Sequence, residues 1–127
     1  MNLPFNLDEF RRYPGMFLPR VTYDTVVAYL LGIDEACDRE FLKGFQEWIV
    51  PIVNTGSNQA WTELVLRIAF PKSIDPRREL LKESNIKIAI ECLFQCLEDF
   101  FAEKQKDHGI DLIIRRYQDW LNSWINS

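Results

Sequence analysis

The chain has 127 residues, 47% of them hydrophobic and 13% aromatic, which suits one domain with a packed core rather than a disordered chain. Its 19 acidic and 15 basic residues give a net charge of −4. This balance argues against nucleic acid or an anionic membrane surface as the main partner, because both attract cationic proteins. It permits a basic protein partner, although many soluble proteins are mildly acidic for solubility alone.

The N-terminal segment, MNLPFN, has no basic stretch followed by an apolar run, so it does not resemble a secretory signal. No apolar stretch approaches the ~20 residues that a membrane-spanning helix needs. We therefore expect a cytoplasmic protein without a membrane partner.

Helix caps and helix-breaking residues divide the chain into about six helical segments. Asn6 can cap a short first helix, because its side chain can accept a hydrogen bond from the first turn. The loop at positions 14–20 follows, with two prolines and one glycine. It also carries Met16 and Phe17, and we expect both side chains to be buried and to attach the first helix to the bundle.

Thr22 can cap a second helix that runs to about Cys37, since the apolar residues between them recur with helical spacing. Asp38 can cap a third helix, which Pro51 and the segment Asn54-Thr55-Gly56 should close. The predicted apolar face of this third helix consists of Phe41, Leu42, Phe45, Trp48 and Ile49.

Ser57 or Asn58 can open a fourth helix, which Pro71 stops. The dipeptide Asp75-Pro76 is typical of a helix start and predicts a short fifth segment, because proline is favoured at the first helical position.

The longest helix should start at Ser84 or Asn85 and run to about Lys106, with Gly109 ending it. A last helix follows, from about Ile110 to about Trp124. Its predicted inner side consists of Leu112, Ile113, Tyr117, Trp120, Leu121 and Trp124. No segment alternates with a period of two over more than a few residues. The sequence therefore predicts an all-α fold, an irregular single-domain bundle of about five to seven helices over positions 1–127.

The residues that could carry chemistry do not form a recognisable catalytic or metal-binding set. Cys92 and Cys96 lie four apart in a helical pattern and are interpreted as small buried side chains, because a zinc site needs further His or Cys ligands nearby. The single histidine, His108, is predicted at a helix end. The adjacent carboxylates Glu98 and Asp99 would point about 100° apart on a helix and would not face each other. We expect no cofactor, no metal and no enzymatic activity.

One polar pattern is a candidate for partner binding. On the longest helix, acidic and amide side chains recur at spacings of three and four, opposite the apolar side, and no Lys or Arg interrupts them. This pattern is either the ordinary outer face of an amphipathic helix or a docking surface for a cationic protein. The candidate partner-binding residues are Glu91, Gln95, Glu98, Asp99 and Glu103.

Several segments resemble a bacterial family whose members open with a motif of the type R-x-P-G-M-Y and continue with a capped helix and a G-F-x-x-W motif. Phe17 stands here for the usual Tyr, and Pro19 stands where Gly is common. The matching segments are positions 12–18 (RYPGMFL), 22–24 (TYD), 26–32 (VVAYLLG) and 44–49 (GFQEWI), Asn58 with Trp61, and positions 69–71 (AFP) and 117–121 (YQDWL).

This family consists of the immunity proteins that are encoded beside polymorphic or contact-dependent growth-inhibition toxins. The resemblance implies an immunity protein that binds a cognate toxin domain and neutralises it by stoichiometric protein–protein interaction. A basic nuclease would suit an acidic inhibitor that covers its substrate groove. Two alternatives stay open: a helical adaptor or regulatory subunit without a toxin partner, and a small enzyme with a carboxylate site.

Overall fold

The computed structural model describes residues 6–55 and 58–125. These residues form six α-helices. Two 3-10 helices cover Pro14–Met16 and Pro76–Leu81, and the described ranges contain no strand. The prediction of an all-α bundle of five to seven helices is confirmed. The α-helices are α1 Leu7–Arg12, α2 Tyr23–Ala36, α3 Phe45–Val53, α4 Trp61–Ala69, α5 Glu83–Lys104 and α6 Gly109–Ile125.

Two of the predicted caps are confirmed at atomic detail. The Asn6 side chain accepts a hydrogen bond from the backbone N–H of Glu9 at 3.0 Å and so begins α1. Thr22 begins α2 in a reciprocal arrangement, because its hydroxyl accepts from the N–H of Thr25 at 3.0 Å while the Thr25 hydroxyl accepts from the N–H of Thr22 at 2.9 Å. Both caps satisfy N–H groups that the first helical turn leaves without a partner.

The predicted third helix is wrong at its start. Asp38 and Arg39 have positive φ angles of 55° and 63°, which a right-handed helix cannot contain, and α3 begins only after Gly44, whose φ is 94°. The helix continues through Pro51 to Val53, and Asn54, in the predicted closing segment, is its C-cap. Proline is tolerated here because its missing N–H removes a single hydrogen bond close to the end of the helix.

The predicted start of the fourth helix is also too early. The helix α4 begins at Trp61, and the Gln46 side-chain oxygen accepts a hydrogen bond from the Trp61 N–H at 2.7 Å. A side chain from α3 thus acts as the cap that Asn58 was expected to supply, whereas Ser57 lies outside the described residues.

The helix α5 lies at the centre of the bundle and contacts α2, α3, α4 and α6. Its buried side combines with the inner sides of these helices in one hydrophobic core. The largest fully buried side chains are Tyr23, Phe10, Phe41, Phe45, Phe94, Phe100, Leu30, Ile49, Leu64, Leu66, Leu93 and Leu97. Among the described residues, no helix combines the length and the apolar composition needed to cross a bilayer.

The loop after α1 is buried at only one of the two predicted positions. Met16 is 72% exposed, so its predicted burial is wrong, whereas Phe17 is half-buried against the core. The 3-10 turn over Pro14–Met16 directs the Phe17 ring towards Phe10, at a centroid distance of 5.5 Å, and towards Tyr29, at 6.0 Å. The turn leaves Met16 on the outside.

The last helix buries less of its predicted inner side than the spacing suggests. Ile113 is buried and Trp120 is half-buried, but Leu112 is 53% exposed and Trp124 is 49% exposed. The 17 residues of α6 span about 26 Å, whereas the nine residues of its neighbour α3 span about 14 Å. The end of α6 therefore extends past the helix that covers its inner side.

Replacing Phe17 by alanine should lower the free energy of unfolding by about 1–3 kcal/mol, because a half-buried ring in contact with two other rings is lost. Met16→Ala is the matched control and should change stability by less than about 0.5 kcal/mol, since an exposed side chain is removed. Thermal and urea denaturation followed by circular dichroism measure both effects. Equal stabilities for the two variants would contradict the assigned packing.

Two glycine substitutions should have opposite effects. A Cβ atom at Gly109 would lie 2.3 Å from the Glu103 carbonyl oxygen and 2.6 Å from that of Lys104, so Gly109→Ala should destabilise the chain by more than about 2 kcal/mol. Gly32 lies on an exposed part of α2 with nothing within 4 Å of the added atom. Gly32→Ala should therefore stabilise by about 0.5–1 kcal/mol. Denaturation midpoints of the two variants measure the difference.

Candidate functional site

The predicted partner-binding residues are carried by α5, and four of them share one exposed arc. Glu91, Gln95, Glu98 and Asp99 are all exposed, while the opposite side of the same helix is buried in the core. We call these four residues the acidic arc. Because the helix behind it is held by tertiary packing, the acidic arc is presented in one orientation.

Arg11 of α1 lies across one edge of the acidic arc. Its guanidinium donates to the Glu98 carboxylate at 2.8 Å and also to the Glu91 carboxylate. The hydrogen bond to Glu91 raises the pKa of Arg11, against the opposing effect of its partial burial. The positive charge of Arg11 thus offsets part of the negative charge of the acidic arc. The side chains of Glu91 and Glu98 nevertheless remain 62% and 64% exposed.

Asp99 has a different environment from the two glutamates. The Gln95 amide donates to its carboxylate at 3.0 Å. Within residues 6–55 and 58–125, no Lys or Arg forms an ion pair with Asp99. Asp99 is therefore the carboxylate of the arc whose charge is most available to a cationic partner.

Glu103 does not belong to the acidic arc, although sequence spacing placed it there. Its carboxylate accepts hydrogen bonds from the Trp48 indole of α3 and from Arg116 of α6, the latter at 3.0 Å. Burial by itself would raise the pKa of Glu103, but the hydrogen bonds from Trp48 and Arg116 outweigh burial and lower the pKa. Glu103 therefore ties three helices together.

The three cysteines lie in the core or pack against it, whereas the single histidine is exposed. Cys96 is buried and Cys92 is half-buried, and the Cys92 thiol lies 3.7 Å from the Val65 carbonyl oxygen of α4. His108 is exposed in the α5–α6 connection with a φ of 57°. In the described part of the chain, no group of three or more His, Cys, Asp or Glu residues is arranged to hold a metal ion.

Sequence reasoning missed a second charged cluster, which joins α2, α4 and the 3-10 helix at Pro76–Leu81. Arg77 pairs with Asp24 of α2 at 3.0 Å and with Glu63 of α4 at 2.5 Å, and its guanidinium lies 5.9 Å from the centre of the Tyr23 ring. The Tyr23 hydroxyl donates to the Thr62 carbonyl at 2.6 Å, and burial raises the pKa of Tyr23. No local sequence pattern predicts these ion pairs, because Arg77 lies far along the chain from both Asp24 and Glu63.

Glu103→Gln should reduce the free energy of unfolding at pH 7 by about 0.5–1 kcal/mol. The effect is modest because solvent screens the partly exposed carboxylate. The folded state lowers the pKa of Glu103, so this contribution is present above the ordinary glutamate pKa and is lost as the pH falls through the lowered value. Stability measured from pH 7 to pH 3 should therefore fall less steeply in Glu103→Gln than in the parent.

The matched control is Glu35→Gln, which changes the same group in an exposed i,i+4 pair with Arg39. It should lower the free energy of unfolding at pH 7 by less than about 0.5 kcal/mol, because exposed ion pairs contribute little. If Glu103→Gln shows the parent pH profile, Glu103 does not stabilise the fold through its charge.

No family model, curated protein sequence or solved structure matches this chain.

Proposed function

We propose that this chain is an immunity protein that binds a cognate bacterial toxin domain and neutralises it by forming a stoichiometric complex. The observation that carries the proposal is the acidic arc: four polar side chains, three of them carboxylates, exposed along one helix whose other side is buried. The family resemblance of the sequence supports the same function.

The charge of the acidic arc suits a basic partner. Glu91, Glu98 and Asp99 contribute three negative charges and Arg11 returns one positive charge, which leaves an excess of two negative charges at this face. Exposed charge of one sign speeds the encounter with a surface of opposite sign and disfavours wrong partners. A toxin whose active groove is cationic, such as a nuclease, fits this requirement.

A rigid helix also lowers the cost of binding. The residues behind the acidic arc include Leu93 and Leu97, which are fully buried, so the backbone does not have to be ordered when the partner arrives. Arg11 holds the side chains of Glu91 and Glu98 in place in the same way. The side chains that would meet the partner are therefore partly preorganised.

The direct test of this function is protection in cells. The candidate toxin is the domain encoded by the open reading frame next to that of this chain. Cells that produce the toxin domain together with this chain should survive, and cells that produce the toxin domain alone should not. Absence of protection, with both proteins produced and folded, would contradict the proposal.

The docking surface is tested by Asp99→Lys, measured against the same toxin domain. We expect the affinity at low salt to fall about tenfold, which corresponds to ~1.4 kcal/mol, mainly through slower association. The affinity of the parent should weaken as salt rises, because mobile ions screen exposed charges over about 10 Å at 0.1 M. This salt dependence should be smaller in the variant.

Asp107→Lys is the matched control, since it makes the same change in charge at a fully exposed site outside the arc. It should retain most of the parent affinity. If Asp99→Lys and Asp107→Lys bind equally well, the acidic arc is an ordinary solvated face and the toxin docks elsewhere.

A further inference from the structure

We propose that a small polar cleft between α4 and the 3-10 helix at Pro76–Leu81 binds a free α-amino acid with a small side chain. This inference is independent of the proposed immunity function. The cleft has a volume of about 160 Å³, and we call it the α4 cleft. Its polar lining consists of Gln59, Glu63, Arg67, Asp75 and Arg77.

Two of the four charged side chains in the α4 cleft neutralise each other. The Arg77 guanidinium donates to both oxygens of the Glu63 carboxylate, at 2.8 Å and 2.5 Å. It also donates to Asp24 at 3.0 Å, a residue that does not line the cleft. A ligand gains little from groups that already bind each other, so the other two charges decide what the cleft can recognise.

Arg67 is oriented but has no ion-pair partner. Its Nε–H donates to the Gln59 side-chain oxygen at 2.7 Å, and the Gln59 carbonyl accepts in turn from the Gln46 amide at 2.8 Å. Within residues 6–55 and 58–125, no Asp or Glu forms an ion pair with Arg67. The bond at Nε leaves the two terminal nitrogens for a ligand, and a guanidinium binds a carboxylate through two such donors.

Asp75 supplies an unpaired charge of the opposite sign. The Ser73 hydroxyl accepts from the Asp75 backbone N–H at 3.2 Å and donates to the Glu79 carboxylate at 3.2 Å, which attaches this segment to the 3-10 helix. The Asp75 side chain makes no capping hydrogen bond to that helix. It also forms no ion pair in the part of the chain that the structure describes. Its carboxylate can therefore accept from a ligand ammonium group.

The charges of the lining select a ligand that carries both signs. An anion alone would face the carboxylates of Glu63 and Asp75, and a cation alone would face the guanidinium groups of Arg67 and Arg77. A zwitterion can place its carboxylate on Arg67 and its ammonium on Asp75. Because one small cleft holds both residues, the two charges of the ligand must lie close together. An α-amino acid carries them on adjacent carbon atoms.

The volume of the α4 cleft limits the side chain of the ligand. A cavity of about 150 Å³ holds a molecule the size of benzene. Alanine has as many non-hydrogen atoms as benzene, so it matches a cleft of about 160 Å³. Leu66, Ile74 and Pro76 complete the lining, and a methyl group can pack against them. Larger ligands need sites of about 300 Å³ or more.

Titration followed by two-dimensional NMR of the labelled chain measures this binding. The probe is L-alanine, raised to about 50 mM at constant ionic strength, which covers a Kd near 1 mM. We expect saturable shifts of the backbone amides around Arg67 and Asp75. Propionate is alanine without the ammonium group, and ethylammonium is alanine without the carboxylate. Each should bind at least tenfold more weakly than alanine.

Arg67→Gln and Asp75→Asn should each weaken alanine binding at least tenfold. Asp75 is exposed, so its replacement leaves the core intact. The matched controls Arg115→Gln and Asp119→Asn make the same changes at exposed sites outside the cleft and should bind alanine like the parent. The dispersion of each spectrum shows that the variant is folded. Absence of saturable shifts with alanine would overturn the proposal, as would equal binding of propionate or unchanged alanine binding in Asp75→Asn.

Discussion

Burial of one side of α5 is the constraint on which the rest of the structure depends. Leu93, Leu97 and Phe100 are completely buried, and each such side chain contributes about 1.5–3 kcal/mol relative to an exposed one. Four other α-helices pack against α5. The same packing fixes which side of α5 faces solvent, and so it determines where the acidic arc lies.

Long-range polar contacts attach the peripheral segments to this central helix. Arg11 holds α1, Glu103 holds α3 and α6, and the Lys104 ammonium donates to the Glu40 carbonyl at 2.6 Å and so holds the irregular segment before α3. Charged groups near α5 therefore serve two purposes. Glu103 and Lys104 use their charges to organise helices, whereas Glu91, Glu98 and Asp99 keep their carboxylates exposed at the surface.

The sequence predicted the helix content well, and it predicted the caps Asn6 and Thr22, which act through hydrogen bonds to residues three positions away. It failed where distant residues decide the outcome. Gln46 caps α4 from 15 residues away, and Arg11 reaches Glu98 across 87 positions. Helical spacing could place the candidate site on one face of α5, but it could not show which carboxylates already have partners. Glu103 differs from the acidic arc because its carboxylate is bound by Trp48 of α3 and Arg116 of α6.

The tight connection between α5 and α6 has a kinetic consequence. Only four residues, 105–108, separate the two helices, and the close approach at Gly109 lets α6 turn back directly along α5. Closing so short a loop costs little chain entropy, so contacts between these helices form quickly. The C-terminal third of the chain can therefore collapse as a helical hairpin during folding. The earlier helices, whose contacts with α5 span much longer stretches of chain, would then dock onto it.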